Sequence, residues 1–541
     1  MTDSSMDVLV QFHRERIASL LKRRQQQQRR AQQSKATLSD LSLQGRTVIN
    51  SHLSAPEMVL AIPELILVIL EFLPFENLPQ VCLVCNLWRT LAQPLLWRQD
   101  IFLENYYQIR AFTDAVVTHG VWVKSLDFST RINNDEKADG GPLARIDLTN
   151  ILPYTPRLRS IDVRECAMDE HPLLALAPYS QLESIDFTQT QYQILDLGSD
   201  GSRDFFAAWP QLKHLRISGK EGDYKFMAST ALEKALLVSN SLHLETMELS
   251  NFPFWMESTI HHVVSTNAGY LRHLNLTNCN FFPLVFEEVL AGATQLESLG
   301  LHCCSISQDS LVGIAQAHPR LKSLSLSQLI ELPTDAMAEV ARAYPSLVSL
   351  ALRDCGNIAK AARQFLAHCP QLCSLHIYDL AGPNVMDIFL GAPWVCRGLE
   401  DIQIERIDYR PDEFSSAEVR DNAIKAMWGQ LAAQTLLHSL LLRFCLPHSG
   451  AKILHPNGFH DSVQEKDRIM LDDGRYQLGA LKRLRRFGLQ GYSMWEYADV
   501  AWMVRSFPRL ERFQYDRKEL TIPQWSWLRT HHPSIQLISW S

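Results

Sequence analysis

The stretch LKSLSLSQLIELPTDAMAEVARAYPSLVSLAL, residues 321–352, decides the fold of this chain. It opens with a six-residue unit in which the first, fourth and sixth residues are apolar. It closes with the same unit. The first copy begins at Leu321 and the second at Leu347. Because alternating apolar residues are typical of a strand with one buried face, each copy predicts a short strand.

A helix is predicted between these two strands. Met337, Val340 and Ala341 have the spacing of one helical face, and Thr334 stands where it can cap the first turn. Pro345, two residues before the second strand, ends the helix and favours extended backbone. One repeat is therefore one strand plus one helix. A single repeat cannot bury its apolar face alone, so neighbouring repeats must stack.

The strand unit recurs along most of the chain. From Leu271 to Leu399 the first apolar residues of the units, here called first anchors, are 25, 25, 26, 25 and 27 residues apart. Intervals of about 20–29 residues are typical of leucine-rich repeats. The predicted first anchors are Val123, Leu158, Leu182, Leu212, Leu244, Leu271, Leu296, Leu321, Leu347, Leu372, Leu399, Leu437, Leu484, Leu510 and Ile535. The final unit is predicted as Ile535, Ile538 and Trp540.

A cysteine stands eight residues after several first anchors. Leucine-rich repeats place an asparagine or a cysteine there, because a small buried side chain with a weak hydrogen-bonding tip fits where the chain turns off the strand. These cysteines are Cys166, Cys279, Cys304, Cys355 and Cys445.

Insertions interrupt the repeats at three places. The longest is predicted around residues 446–480, where turn-forming residues are frequent. Smaller insertions are predicted near Ile132 to Pro142 and near Gly198 to Asp204. Insertions in solenoids form loops, often on the binding face.

A compact apolar region precedes the repeats, at residues 57–103. Pro74 closes its first predicted helix and Pro79 suits the first turn of the next, so we expect two or three short helices. A region of about 40 residues cannot readily bury a sufficient core, so something else is expected to cover part of its apolar surface. The stripe of its first helix is Leu65, Ile66, Ile69, Leu70 and Leu73.

The N-terminal segment, residues 1–56, has a different composition. Between His13 and Lys35 it contains eight basic residues and one acidic residue, with four consecutive glutamines at Gln25 to Gln28. We expect a marginal helix that fades into a low-complexity tail. The basic clusters are either a nuclear-import signal or, as we favour, a solvated charged tail.

Composition excludes several classes of protein. Hydrophobic residues make up 46% of the 541 residues and the net charge is −7, which favours a folded soluble chain and gives no reason to expect nucleic-acid binding. Residues 1–19 lack the apolar run of a secretion signal, so we do not expect them to be one. The densest apolar stretch, Val59 to Leu73, is too short and too polar to span a membrane. Several of the 11 cysteines fall in strand-like runs, which predicts reduced thiols and a cytoplasmic or nuclear location.

Motifs for catalysis or metal binding are weak. Cys82 and Cys85 have CxxC spacing, but no second pair or histidine pair completes a zinc site, and both fall on an apolar helix. His261–His262 and His531–His532 are adjacent, so the two side chains of a pair cannot readily face one metal. Phosphate-binding loops, nucleophile elbows and HExxH are not found in the sequence. We therefore expect a non-catalytic protein without a cofactor or metal.

Residues 62–97 resemble the F-box. This sequence differs mildly from the family pattern at two positions. Ile62 stands where leucine is usual, and Pro79 opens the second helix. The repeats look like the cysteine-containing leucine-rich repeats that commonly follow an F-box. The matching residues are Ile62, Pro63, Glu64, Leu65, Ile66, Ile69, Leu70, Leu73, Leu78, Val84, Cys85, Trp88, Leu91, Ala92, Leu96 and Trp97.

This resemblance implies an α/β chain, with a small all-α F-box at 57–103 and a leucine-rich-repeat solenoid, curved as a horseshoe, at 104–541. In that family the F-box binds the adaptor subunit of an SCF-type ubiquitin ligase, which tethers it to a cullin. The repeats hold a protein substrate for ubiquitination. The residues implied to form or support the adaptor interface are Pro63, Leu65, Ile66, Ile69, Leu70, Val84, Cys85 and Trp88. Internal packing is the alternative role for each of them, and for Trp88 especially.

A second hypothesis is a leucine-rich-repeat scaffold whose F-box-like helices only cap the repeats, without any ligase. The apolar first helix favours the ligase hypothesis over this one. The substrate is not specified by the sequence. Strand positions between the anchors, such as Ser325, Ala351, His376 and Gln403, should line the concave face. The simpler interpretation, which we favour, is that they are exposed residues without a ligand.

Overall fold

The structure is a computed structural model, and the chain divides into two compact units, Met1–Leu96 and Trp97–Ser541. The predicted tail at 1–56, the insertions near Ile132 to Pro142 and Gly198 to Asp204, and nearly all of the insertion at 446–480 lie outside the described residues. The described residues are 63–73, 77–98, 100–103, 106–128, 145–146, 148–164, 166–168, 176–188, 191–192, 205–218, 242–251, 257–279, 290–304, 306–329, 334–355, 358–378, 388–390, 392–408, 416–445, 478–490, 497–515, 520 and 522–539.

Short helices form the region before the repeats. They are α1 (Pro63–Glu71), α2 (Leu78–Val81) and α3 (Asn86–Arg98), in agreement with the two or three predicted. Pro79 lies in the first turn of α2, where its missing N–H costs no hydrogen bond. Pro94 lies inside α3 without ending it.

The second unit is built on parallel strands. In chain order these are β1 (Asp100–Phe102), β2 (Ser125–Asp127), β3 (Arg145–Ile146), β4 (Ser160–Asp162), β5 (Ala167–Met168), β6 (Ser184–Phe187), β7 (Gln191–Tyr192), β8 (His214–Ser218), β9 (Thr246–Ser250), β10 (His273–Thr277), β11 (Ser298–His302), β12 (Ser323–Ser327), β13 (Ser349–Arg353), β14 (Ser374–Tyr378), β15 (Asp401–Asp408), β16 (Ser439–Cys445), β17 (Arg486–Gln490), β18 (Arg512–Tyr515) and β19 (Gln536–Ser539). Among the described residues, β3, β5 and β7 form a small sheet and the other sixteen strands form the main sheet, in chain order from β1 to β19.

The register of the main sheet stacks equivalent positions of the repeat. Leu324 of β12 lies between Leu299 of β11 and Leu350 of β13, and all three side chains are at most 1% exposed. The same arrangement continues through the neighbouring strands, so that the anchors form continuous buried rows. The predicted solenoid of strand-plus-helix repeats is therefore confirmed.

The final repeat departs from its predicted register. We expected Ile535, Ile538 and Trp540 as anchors, but Leu537 of β19 lies opposite Phe513 of β18. Trp540 lies outside the described residues. Leu537 and Ile538 are both only half-buried. Because no described strand pairs beyond β19, its apolar pattern specifies the register weakly.

Helices alternate with the strands of the second unit. They are α4 (Tyr106–His119), α5 (Glu257–Asn267), α6 (Gln308–Ala317), α7 (Thr334–Ala343), α8 (Ile358–His368), α9 (Ala417–Ala432), α10 (Tyr497–Ser506) and α11 (Ile522–His531). The predicted apolar face of α7, formed by Met337, Val340 and Ala341, is buried. Thr334, predicted as its cap, is instead its first residue. Within the described part of the chain, no helix is long and apolar enough to cross a membrane.

The repeat cysteines bind the neighbouring repeat through their thiols. The thiol of Cys355 donates to the carbonyl oxygen of Leu326, the third apolar residue of the preceding repeat, at 3.4 Å. Cys304 donates in the same way to Leu276 at 3.5 Å. Cys166 and Cys279 repeat the contact, whereas the side chain of Cys445 lies outside the described residues. The predicted buried position is thus confirmed for four of the five cysteines.

The residue just before the cysteine position has a left-handed backbone in five successive repeats, of which two carry Phe252 or Leu329 in place of the cysteine. The five φ angles lie between 46° and 60°. In each case the N–H group donates to a carbonyl oxygen of the next strand, as Gln328 does to Arg353 at 2.8 Å. The left-handed turn therefore extends the ladder of hydrogen bonds beyond the strand. The five residues are Asn251, Asn278, Cys303, Gln328 and Asp354.

Charges alternate at another position of the repeat, directly after the first anchor. In seven successive repeats these residues are Arg159, Glu183, Lys213, Glu245, Arg272, Glu297 and Lys322. Lys322 contacts Glu297 at 2.8 Å and Arg159 contacts Glu183 at 3.1 Å. The hydrogen bond from Lys322 lowers the pKa of the Glu297 carboxyl group. Exposed pairs of this kind stabilise a fold only weakly, but their alternation favours a single register.

Substitution of Gln328 tests the left-handed turn. Left-handed backbone costs a residue with a Cβ about 1–2 kcal/mol, and glycine is free of that cost but loses about 0.5–1 kcal/mol of chain entropy. We expect Gln328→Gly to leave the free energy of unfolding unchanged or to raise it by up to about 1 kcal/mol. Gln328→Val should lower it by more than about 1 kcal/mol, since β-branched residues tolerate this backbone poorly. Urea unfolding would measure the free energy of unfolding of both variants. Equal effects of the two substitutions would contradict the left-handed backbone of Gln328.

Alkylation with iodoacetamide at pH 8 tests the burial of the repeat cysteines. Burial raises the pKa of the Cys304 thiol to about 11. Only about one molecule in a thousand then carries the reactive thiolate at this site. We expect mass spectrometry to find exposed Cys85 modified within minutes and Cys304 modified only after unfolding in urea. Equal labelling of the two thiols in the folded protein would show that the predicted packing is wrong.

Candidate functional site

The first unit has a small core of its own. Half-buried side chains, including that of Trp88, pack around it. So few buried residues provide little stabilisation by themselves. The buried side chains are Ile66, Leu70, Leu78, Val81, Ala92 and Leu95.

Helix α1 is apolar on two faces. Ile66 and Leu70 point into the core and are 0% and 1% exposed. A second apolar row points outward. Its residues have the helical spacing i, i+3, i+4 and i+7, and the last of them lies in the turn after the helix. We call this row the outer stripe: Leu65, Val68, Ile69 and Phe72, which are 40%, 50%, 38% and 85% exposed. An exposed apolar row of this size is typical of a contact surface, so the outer stripe is a candidate binding surface.

Further apolar residues are exposed where α2 ends and α3 begins. We call them the apolar turn: Leu83, Val84 and Leu87. The turn is held by backbone hydrogen bonds, in which Val84 N–H donates to Val81 at 3.0 Å. The guanidinium Nε of Arg89 also donates to the carbonyl oxygen of Cys82 at 3.1 Å. The local backbone is thus ordered while Leu83 is 78% exposed.

The eight residues predicted to form or support an adaptor interface fall into two groups. Ile66 and Leu70 are buried in the core, and Trp88 is half-buried against it. These three support the surface from beneath. The other five are exposed: Pro63, Leu65, Ile69, Val84 and Cys85. Contact between these five and an adaptor stays a prediction.

Four exposed apolar residues were not predicted from the sequence. Val68 and Phe72 belong to the outer stripe, and Leu83 and Leu87 to the apolar turn. A signal was present, since Leu65, Val68, Ile69 and Phe72 are themselves spaced as one helical face. Because Ile66 and Leu70 form a second such row, periodicity could not show which row faces the core.

The thiol pair and one of the histidine pairs differ in their surroundings. Cys82 is half-buried, and burial raises the pKa of its thiol, whereas Cys85 is exposed. The ring of His531 stacks on Trp527 and lies 3.0 Å from the carbonyl oxygen of that residue. Within the described ranges, no three or more His, Cys, Asp or Glu side chains group closely enough to hold a metal ion.

A second surface is provided by the main sheet. We call it the open strand face: the strand side chains that alternate with the buried anchors. Ser325, Ala351, His376 and Gln403 lie opposite one another on four adjacent strands of this face, as predicted, and all are half-buried. The face is therefore a row of ordered, partly accessible side chains.

The N-terminal strands of the open strand face carry a network of ion pairs. Arg164 contacts Asp162 at 2.7 Å and Asp186 at 3.5 Å. Arg216 contacts Asp186 at 3.3 Å and Glu248 at 3.4 Å. Burial raises the pKa of the Asp162 and Glu248 carboxyl groups, although the arginines oppose this. Each arginine therefore contacts two carboxylates, and the two arginines share Asp186.

His376 forms a further polar contact on this face. Its Nε2 atom lies 3.0 Å from an oxygen of Asp401. Burial acts to raise the pKa of the Asp401 carboxyl group, but hydrogen bonds from His376 and Ser439, together with the nearby charge of Arg486, lower it overall. Tyr378, on the same strand, lies below the guanidinium group of Arg353 at 5.6 Å. This part of the face thus combines aromatic and charged groups.

Comparison with known proteins assigns the helical region. A family model described as F-box-like matches residues 63–102. That range contains α1, α2, α3 and β1, and therefore both the outer stripe and the apolar turn. A search of curated proteins gave no match.

Several solved structures are similar to the chain at low identity. An internalin of Listeria monocytogenes has a TM-score of 0.32 and 14% identity, over 69% of this chain and 84% of that one. A leucine-rich-repeat protein of Leptospira interrogans has a TM-score of 0.31 and 12% identity, over 77% of this chain and 83% of that one. Human trophoblast glycoprotein has a TM-score of 0.29 and 17% identity, over 42% of this chain and 78% of that one.

Truncation of adjacent α1 residues should separate the inward face from the outward face. Ile66→Ala creates a cavity in the core and should lower the free energy of unfolding of the first unit by about 2–5 kcal/mol. Ile69→Ala removes a partly exposed side chain and should cost less than about 1 kcal/mol. Hydrogen exchange of the α1 amides, followed by mass spectrometry, would measure both. A larger effect of Ile69→Ala would mean that the two faces are assigned the wrong way round.

Proposed function

We propose that this chain, which joins an F-box-like segment to a leucine-rich-repeat domain, is the substrate-recognition subunit of an SCF-type ubiquitin ligase. Its first unit binds the adaptor subunit and, through it, a cullin. The repeats bind a protein substrate for ubiquitination. The observation that supports this proposal best is the pair of exposed apolar surfaces, the outer stripe and the apolar turn.

Burial of these surfaces can drive association. Among the described residues of the first unit, seven large apolar side chains are exposed, whereas six apolar side chains are buried in its core. Full burial of one such side chain contributes about 1.5–3 kcal/mol, so a partner that covers several of them gains enough to offset the entropy of association. Phe72 is the most exposed of the seven and is the expected anchor residue.

The chain contributes proximity rather than bond-making. A substrate held by the repeats is kept near a ubiquitin-charged enzyme supplied by the rest of the complex, which raises its effective concentration. The open strand face suits such a role, because its side chains stand on a rigid parallel sheet. Specificity then depends on which polar and charged residues occupy this face.

Co-purification of the full chain with the adaptor and cullin tests the proposal. The variant Val68→Asp/Phe72→Asp places two charges in the outer stripe without disturbing the buried Ile66 and Leu70. We expect the wild type to retain both partners and the variant to lose both, with at least about a hundredfold weaker binding, since carboxylates buried in an apolar interface lose hydration.

A matched control is available in the second unit. Val117 and Val121 are 57% and 42% exposed, and Val117→Asp/Val121→Asp adds the same charge there. This control should bind the adaptor as the wild type does. If the wild type itself holds no adaptor at micromolar concentration, the chain is a repeat scaffold and its F-box-like helices serve only as a cap.

A further inference from the structure

Arginines occupy two different settings on the open strand face. On the N-terminal strands, Arg164 and Arg216 each contact two carboxylates, as described above. On the C-terminal strands, Arg443 of β16, Arg486 of β17 and Arg512 of β18 also point to this face, because they alternate with the buried anchors. We call these three residues the arginine face.

The arginine face is less closely paired with carboxylates than the N-terminal arginines are. Within the described ranges, no carboxylate forms an ion pair with any of the three guanidinium groups. Asp401, whose carboxylate interacts electrostatically with Arg486, is two strands away in the register. The contrast with the closely paired arginines of the N-terminal strands indicates that the charge here is available to a ligand.

Two of these arginines are direct neighbours. Arg486 lies opposite Arg512 in the register of β17 and β18. Neighbouring strands are about 4.8 Å apart, and like charges in opposed positions destabilise a sheet. Arg512 is exposed and Arg486 half-buried, so both guanidinium groups can reach solvent. A bound anion would relieve this repulsion.

A residue without a side chain follows Arg486 on the open strand face. This residue is Gly488, two residues after Arg486 on β17. A Cβ at this position would lie 2.9 Å from the side chain of Leu441 and 3.0 Å from the Cβ of Gln514. Leu441 itself is only 3% exposed. A side chain at 488 would therefore have to displace Leu441 and crowd Gln514, and Gly488 itself is buried between β16 and β18.

The surrounding turns add to the positive charge. Residues 478–490 and 507–515 contain six Lys or Arg and one acidic residue, Glu511, although the whole chain has a net charge of −7. Glu511 is paired with Arg485 at 3.3 Å. The exposed cations Lys482, Arg483 and Arg509 extend the positive region at the start of the strands. The local field therefore attracts anions.

We propose that the arginine face binds an acidic peptide segment of a partner protein through its side-chain carboxylates. Guanidinium groups donate paired hydrogen bonds to carboxylates, and two neighbouring arginines suit two carboxylates of one extended segment. The three strands span about 10 Å, which is short for the continuous basic track that nucleic acids require. That the peptide belongs to a ligase substrate rests on the proposed function, whereas the binding itself depends on the repeats alone.

Fluorescence anisotropy on the full chain tests this proposal. The probe is a fluorescein-labelled octapeptide of alternating Glu and Ser. We expect saturable binding that weakens as sodium chloride is added, and at least about tenfold weaker binding by Arg486→Gln/Arg512→Gln. The control Arg320→Gln/Arg342→Gln removes two exposed arginines far along the chain, with the same change in net charge, and should bind as the wild type does.

Several outcomes would overturn the proposal. Equal weakening by the two double variants would mean that only net charge matters. Tighter binding of a single-stranded oligonucleotide than of the peptide would make this a nucleic-acid surface. Binding of a phosphoserine version alone would exclude carboxylates as the ligand. Val68→Asp/Phe72→Asp should bind the peptide normally even if it loses the adaptor, so failure of the two proposals can be told apart.

Discussion

The stacking of one repeat on the next is the constraint on which the second unit depends. Leu324 lies between Leu299 and Leu350 of the neighbouring strands, and all three are buried in one continuous core. The other regularities act between the same neighbours: the cysteine thiols donate to the preceding repeat, and the left-handed residues donate to the following strand. Each contact is weak, but all of them favour the same register, and this consistency defines a single fold.

Much of this architecture follows from the sequence, because the repeat imposes a period that chance rarely produces. The anchors, the helices between them and the cysteine position were all predictable from spacing. The left-handed turn was not, since its residues include Gln328 and Cys303 instead of the glycine that normally marks positive φ. The final repeat was placed out of register because its apolar pattern is irregular and no described strand pairs with β19 on its far side.

The candidate surfaces were predictable to different extents. The first unit was expected to expose apolar residues, but α1 has two apolar rows, and only packing shows that Ile66 faces inward and Phe72 outward. The open strand face was predictable in position, since it alternates with the anchors. The arginine face was not predicted, because pairing between Arg486 and Arg512 requires the register of two strands that a long insertion separates from the preceding strand.

The residues directly after the first anchors alternate between positive and negative charge, so cationic and anionic repeats follow one another in this part of the solenoid. The charge changes sign at each step from Arg272 to Glu297 to Lys322. Loss of the repeat that carries Glu297 would therefore bring two cations together. Loss of two consecutive repeats would keep the alternation. Gain or loss of repeats in pairs is therefore tolerated better than single events in this part of the chain. An exchange of segments with a related solenoid should likewise succeed more often when the joined ends have opposite charge.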